Sequence, residues 1–487
     1  MPAAQRLTRI GTFGVGAATL FVGMPAAMAT CPAGAILLPV GANLRQVVAQ
    51  SPQGASFCIQ KGEHRLQEID PKKDQKFYGQ KGAILNGSQL IKQFTREGSD
   101  WVASNQKQEG VRKAGDECLP GRPRCDRPEA FYIDDKPLKA VASRGELATG
   151  KFYFDYDADK IYFRNNPTGH KVEASVKPYA FNGGATGVVI DGLIVEKYSS
   201  PIQAGAIGST IASKGWTVRN NEVRLNYGVG VTVGTDSRIL NNYIHRNGEM
   251  GIGCNGDDIL IEGNEIAKNG YFAGLDPFWE GGGGKCAQTR RLIVRNNYSH
   301  HNNAMGFWTD IDNIDTLYEK NRIAHNANGG ISHEISYKAT IRNNTFKGNG
   351  KAFTVWLWGG AIQIQNSRDV EVYGNTIDMT DAGNGITLIQ QNRGTGAYGP
   401  LKTVNNHIHN NKITSLTPDS GVSGAIADDD PSTMLSGGNR FNNNTYTGTS
   451  GRDEHWAWVT DFYDWSSYRQ RSGQDSDSTL LIEQAAP

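Results

Sequence analysis

Three carboxylates fall close together near the middle of the chain. Asp310 and Asp312 lie in Gly306-Phe-Trp-Thr-Asp-Ile-Asp312, and Glu334 lies in Gly330-Ile-Ser-His-Glu-Ile-Ser336. The glycines that open these stretches are 24 residues apart, and the segments before them match in kind: Asn-Asn-Tyr-Ser-His-His-Asn-Asn from Asn296, Lys-Asn-Arg-Ile-Ala-His-Asn-Ala from Lys320. If each 24-residue unit is one turn of a repeating coil, Asp310 falls beside Glu334, because stacked strands lie about 4.8 Å apart. Strand alternation turns Trp308, Asp310 and Asp312 outward with Phe307, Thr309 and Ile311 inward. The same parity turns Ser332, Glu334 and Ser336 outward, with Ile331, His333 and Ile335 inward. Paired acids suit glycosidic bond cleavage, where one carboxylic acid protonates the leaving oxygen and a carboxylate acts from the other side. Asp310 with Glu334 has the close spacing that goes with retention, and Asp312 with Glu334, on a diagonal, the wider spacing of inversion. Like charges this close also raise one pKa, which prepares an acid.

Other residues join this group by position. Lys285 stands on the preceding coil and Glu280 on the loop before it, and both are candidates for the chemistry. Gln363 and Gln365 face outward on the following coil. Trp279, Trp308, Trp356 and Trp358 are candidate platforms for sugar faces, and Arg393 is a candidate partner for an acidic substrate group. His333 reads first as a core histidine and second as a binding residue. The acids have a competing use: Asp310, Asp312 and Asp315 would solvate an outer strand or hold a calcium ion. No cofactor motif is evident. Lys285 as a base, with Arg393, Lys285 or calcium neutralising a carboxylate, would instead suit a lyase or epimerase acting on uronates. Acids in the groove repel a polyuronate, so a neutral polysaccharide or oligosaccharide fits better. A non-catalytic glycan-binding protein is the third reading.

A coil must exist to position these groups, and a repeat between Val188 and about Tyr446 supplies it. Its anchor is an Asn followed two residues later by a mostly apolar residue: Asn221/Val223, Asn242/Ile244, Asn264/Ile266, Asn297/Ser299, Asn321/Ile323, Asn344/Phe346, Asn375/Ile377 and Asn411/Ile413. Positions five and three before the Asn are mostly apolar as well, as in Ile259/Ile261 and Leu292/Val294. Two short strands per repeat with a turn at the Asn predict an all-β chain folded as a parallel β-helix solenoid, with Asn side chains satisfying turn groups from coil to coil. The anchors are 21, 22, 33, 24, 23, 31 and 36 residues apart. Three coils therefore carry long loops, around Tyr271–Glu280, Lys351–Trp358 and Gln390–Tyr398. Long loops on a rigid scaffold are where binding residues usually sit.

The remainder of the chain frames this solenoid. Residues 1–29 read as a signal peptide, with Arg6 and Arg9, an apolar run from Ile10 to Met24, and Ala27-Met-Ala29 as a cleavage site. Residues 30–94 are expected to hold a cap helix over Ala42–Gln50 and the first coils. Residues 95–180 show period-two alternation and predict a small antiparallel β insertion, with Asp157-Ala-Asp159 as a hairpin turn. Residues 181–450 form the β-helix and its groove, and 451–487, with its aromatics from Trp456 to Trp465, a capping tail. Six cysteines predict disulfides in an oxidising compartment: Cys31 with Cys58 and Cys118 with Cys125, while Cys254 and Cys286 either bond or stack as thiols. A net charge of +1 without a basic block argues against a nucleic-acid partner. No stretch after the signal predicts a membrane span, the location is secreted or periplasmic, and nothing fixes an oligomeric state.

The chain resembles the secreted right-handed parallel β-helix proteins related to pectate lyases and polygalacturonases, over roughly residues 180–450. Trp308-Thr-Asp-Ile-Asp-Asn-Ile314 and His333-Glu-Ile-Ser-Tyr337 are similar to a bacterial subgroup of that superfamily. The resemblance implies a carbohydrate-active enzyme: an inverting hydrolase with paired aspartates, or a lyase with an Arg or Lys base and often calcium. The Asn-Thr-Asp and Gly-His-Gly motifs of polygalacturonases are missing, so their residue roles do not transfer.

Overall fold

The computed structural model describes residues 31–112, 117–209, 211–353, 356–415 and 421–483. The expected signal peptide lies outside the described residues. The chain winds into a right-handed solenoid walled by three parallel sheets, two of 13 strands and one of 11. From Val189 to Val459 each coil contributes one strand to each sheet, and the strands pair in register with the coils on either side. In the first sheet Val218, Ile239, Ile261, Val294, Tyr318, Ile341 and Val372 are successive partners. All are 0–1% exposed. Burying an aliphatic side chain of this size contributes about 1.5–3 kcal/mol, so the stack is held chiefly by its filled axis.

Turn polarity is dealt with by asparagine. From Asn221 to Asn444 each anchor amide donates through Nδ2 to the Oδ1 of the next, at 2.9–3.1 Å. Each also donates to a carbonyl of the preceding coil, as Asn297 does to Ile261 at 2.9 Å. A second ladder, not anticipated above, runs five residues further on, through Asn226, Asn247, Asn269, Asn302, Asn326 and Asn349, with steps of 2.9–3.0 Å.

The ends are closed. Helix α1, Leu44–Gln50, is capped by Asn43, whose side chain accepts from Gln46 N, and buries Leu44 and Val48. At the other end Trp456–Val459 extends the third sheet and Asp461–Tyr463 folds back on it antiparallel. Helix α2, Trp465–Ser472, then buries Tyr468 against Trp456. The antiparallel insertion forms sheets of four and five strands drawn from Ser88–Ile91 to Val172–Ser175. Lys151–Asp155 pairs with Lys160–Phe163 across the expected hairpin. Its aromatics Phe131, Phe152, Phe154 and Phe163 form its own core. It docks on the solenoid through the buried Lys197, which pairs with Glu173 and Asp135.

Cys31–Cys58, Cys118–Cys125 and Cys254–Cys286 are all disulfides. The last joins adjacent coils directly behind Lys285. Among the described residues no helix is long and apolar enough to cross a membrane.

Candidate active site

Five neighbouring strands of the third sheet build the site: β1 (Gly282–Arg290), β2 (Met305–Asp310), β3 (Gly329–Glu334), β4 (Gly360–Gln365) and β5 (Asn384–Gln390). Their outer faces carry two transverse rows. One is Lys285, Trp308, Ser332, Gln363 and Thr387; the other is Ala287, Asp310, Glu334, Gln365 and Ile389. Asp310 and Glu334 are thus direct cross-strand partners.

Both rows are stitched by charge. Lys285 Nζ lies 3.0 Å from Asp310 Oδ2 and 3.0 Å from Glu280 Oε2, and donates to Trp279 O at 2.9 Å. It also sits 3.9 Å over the Trp308 ring. Trp308 Nε1 donates to Glu334 Oε2 at 3.1 Å, and Arg393 Nη1 donates to Glu334 Oε1 at 2.9 Å. The result is an alternating chain Glu280–Lys285–Asp310, then Glu334–Arg393, with the two halves meeting at Asp310 and Glu334. The side chains of Asp310 and Glu334 are 12% and 11% exposed, so the two carboxyl groups meet largely shielded from water.

Burial, followed by the Asp310 charge, raises the Glu334 pKa above the usual carboxylate range, against the opposing pull of Arg393. Burial likewise raises Glu280, with Lys285 opposing. Burial alone would discharge Lys285, but Glu280 and Asp310 outweigh it and hold its pKa above the ordinary value. Asp310 Oδ1 is buried and has no hydrogen-bond partner. The same holds for Ser332 Oγ, Gln363 Oε1, Gln365 Oε1 and Thr387 Oγ1, all in the two rows. Unpaired buried acceptors gathered on one face are what a polar ligand would satisfy.

The strand alternation stops at Asp310, because Ile311 and Asp312 adopt left-handed backbone (φ 63° and 55°). Ile311 is consequently 42% exposed rather than inward. Asp312 leaves the acid row altogether: its Oδ1 accepts from Ala397 N at 2.8 Å and anchors the Thr395–Pro400 hairpin. A Cβ on Gly396 would meet that oxygen at 2.0 Å, which explains the glycine there. Ser336 is buried in the turn, donating to Glu334 O and accepting from Asn313. His333 is wholly interior, between Thr309 and the Tyr337 carbonyl, out of reach of any substrate, and burial lowers its pKa to about 4.

The loops take opposite edges of the sheet. Those before β1 and β4 enter at one edge, where Phe278 meets Phe353. The loop after β5 returns at the other, bringing Arg393 to Glu334 and Gly399 to Tyr337, whose hydroxyl donates to Gly399 O at 2.8 Å. The tryptophans are less free than expected. Trp308 has Lys285 on its ring, Trp358 packs on Phe353, and Trp356 points toward the C-terminal cap against Phe462, 5.3 Å away. Trp279 belongs to a cluster with Leu275 and Cys118. Among site residues, Thr387 and Gln391, which accepts from Gln365 at 2.9 Å, were missed in the sequence, and Ser332 was read there only as an outward position. Strand parity at Ser332 and Thr387 was the available signal.

Residues 206–368 match the family described as right handed beta helix region. No curated protein matches the chain in sequence. Among solved structures, one described as the complex of XylC with xylose is 14% identical and covers 91% of this chain and 83% of its own, with a TM-score of 0.66. The A-module of mannuronan C-5 epimerase AlgE4 from Azotobacter vinelandii is 12% identical, covering 90% and 93%, with a TM-score of 0.50. The catalytic unit of a GH87 alpha-1,3-glucanase from Streptomyces thermodiastaticus strain HF3-3 is 13% identical, covering 91% and 72%, with a TM-score of 0.45. At these identities the likeness is one of fold: the protein is a right-handed parallel β-helix.

Proposed function

We propose that the protein is an exported glycoside hydrolase that cleaves a neutral glycan on the outer face of the third sheet, with Glu334 and Asp310 as its two carboxyl groups. The observation that carries this reading is their direct pairing on adjacent strands, with Glu334 raised and Asp310 ion-paired to Lys285. Glu334 holds the proton and gives it to the glycosidic oxygen as the C1–O bond breaks. Asp310, ion-paired to Lys285, forms the bond to C1. Glu334 then takes a proton from water, which displaces Asp310 and restores both groups. Adjacent strands about 4.8 Å apart match the roughly 5 Å carboxyl separation of retaining enzymes.

A uronate lyase or epimerase would use Lys285 as its base. An ammonium bound to two carboxylates, with its pKa raised, holds its proton at neutral pH and makes a poor base. Export agrees with three disulfides. The test is a reducing-end assay against neutral and acidic glycans, with Glu334→Gln and Asp310→Asn alongside. Release of reducing ends from a neutral glycan, lost in both variants, supports the reading. Unsaturated products from an acidic glycan would replace it with a lyase, and silence on every glycan with retained binding would leave a glycan-binding protein.

A further inference from the structure

On the outer surface of the first sheet, away from the acid rows, two histidines and a carboxylate come within ligating reach. Glu371 lies on the strand Val370–Tyr373, and His407 and His409 lie on the strand His407–His409 of the next coil. Glu371 is the direct partner of His407, while His409 faces Tyr373 on one side and Asn442 on the other. Ile408, between the histidines, is fully buried in the core, so alternation fixes both rings on the outer side. One nitrogen of each imidazole and one Glu371 oxygen all lie within 4.8 Å of one another. The rings stack 4.1 Å apart, His409 Nε2 meets Glu371 Oε1 at 3.3 Å, and His407 Nε2 meets Asn442 Oδ1 at 2.8 Å. Asn410 Nδ2 lies 2.8 Å from His409 Nδ1.

We propose that Glu371, His407 and His409 bind a divalent transition-metal ion of the zinc type. Two imidazoles and one carboxylate form a mixed nitrogen and oxygen set, which suits zinc and not the all-oxygen shells of calcium or magnesium. Three protein ligands leave a fourth position for water or for the Asn442 amide oxygen. Bonds of about 2.0–2.2 Å require the donors to draw closer than they stand. The Glu371 side chain, 52% exposed, has the freedom to swing in. Arg440 is the partner of His407 on the next strand.

The two strands are separated in sequence by the excursion that carries the Thr395–Pro400 hairpin and Arg393. A bound ion would therefore tie the start of that coil to its return. The proposal does not depend on the hydrolase reading.

The test is calorimetric titration of the untagged, metal-freed chain with Zn2+, repeated in competition with a chromophoric chelator. One ion per chain is expected, with a dissociation constant of about 10 μM or tighter, and a Tm that rises with Zn2+ concentration. His407→Ala and His409→Ala should each weaken binding by about ten-fold or more. His301→Ala, in the separate His300–His301–His325 group, should leave it unchanged. Glu371→Gln, at an exposed position, serves as a third variant should either histidine variant fold poorly. Absence of binding, or binding unaltered in the histidine variants and in Glu371→Gln, would overturn the proposal.

Discussion

On β3, His333 and Glu334 are consecutive, both are buried and both titrate, yet they meet opposite surroundings. His333 faces inward, where Thr309 and the Tyr337 carbonyl satisfy both ring nitrogens and burial keeps the ring neutral. Glu334 faces outward, where burial and the neighbouring Asp310 work against its charge. The difference extends along the sheet. Turn polarity behind it is satisfied by two continuous asparagine ladders, whereas its outer rows hold unpartnered acceptors on Asp310, Ser332, Gln363, Gln365 and Thr387. Unsatisfied buried polar groups cost free energy. Five such acceptors on adjacent strands of one face are the contrast on which the proposed site rests.

Exchanging function for stability across β3 gives the largest expected contrast. Glu334→Gln should lower kcat/KM by about 1,000-fold, or ~4 kcal/mol of transition-state stabilisation, with Tm unchanged or higher. His333→Ala should do the reverse, costing about 2–4 kcal/mol of stability through a cavity and an unpaired carbonyl, with activity per folded molecule within a few-fold of wild type. Chemical denaturation beside steady-state kinetics separates the two.

Next in size is the ladder itself. Asn321→Ala removes the acceptor for both Asn297 Nδ2 and Asn297 N, at 3.1 and 3.0 Å. A loss of about 2–3 kcal/mol is expected from leaving the Asn297 N–H and one Nδ2 hydrogen buried without an acceptor, while Nδ2 keeps its bond to Ile261 O, again read by denaturation. Gln363→Ala lies at the small end: a KM increase of several-fold, about 1 kcal/mol, with little change in Tm.

How much of this could be read from the chain follows from what repeats. The anchor asparagines and the apolar residues around them recur on successive coils from Asn221 to Asn444, so the solenoid and the alignment of Asp310 with Glu334 were legible from spacing. The second asparagine ladder, five residues after the first, recurs on the six coils from Asn226 to Asn349 and was equally readable there. What was not legible is where periodicity ends. Ile311 in left-handed backbone is a conformation that β-branched residues seldom adopt, and no residue type announced that Asp312 and Ser336 would leave the strand parity. Loop direction was likewise hidden. Trp356 meets Phe462, and Ala397 meets Asp312, through contacts spanning 106 and 85 residues, which no local pattern encodes.

The pH dependence sharpens the contrast further. The proposed role of Glu334 as the acid predicts that activity falls as pH rises through its raised pKa, placing the alkaline limb above the ordinary carboxylate range. Arg393 pulls that pKa down, so Arg393→Met should move the limb to higher pH, measured as kcat/KM against pH. Removing Arg393 and seeing the limb move down would show that another group sets it.

The pairing of Asp310 with Glu334 is tested most directly by the configuration of the first-formed sugar, followed by proton NMR in the opening minutes of hydrolysis. Side-by-side carboxyl groups on β2 and β3 predict that the anomeric configuration of the substrate is retained. An inverted product would show that water attacks directly and that Asp310 does not form the bond to C1.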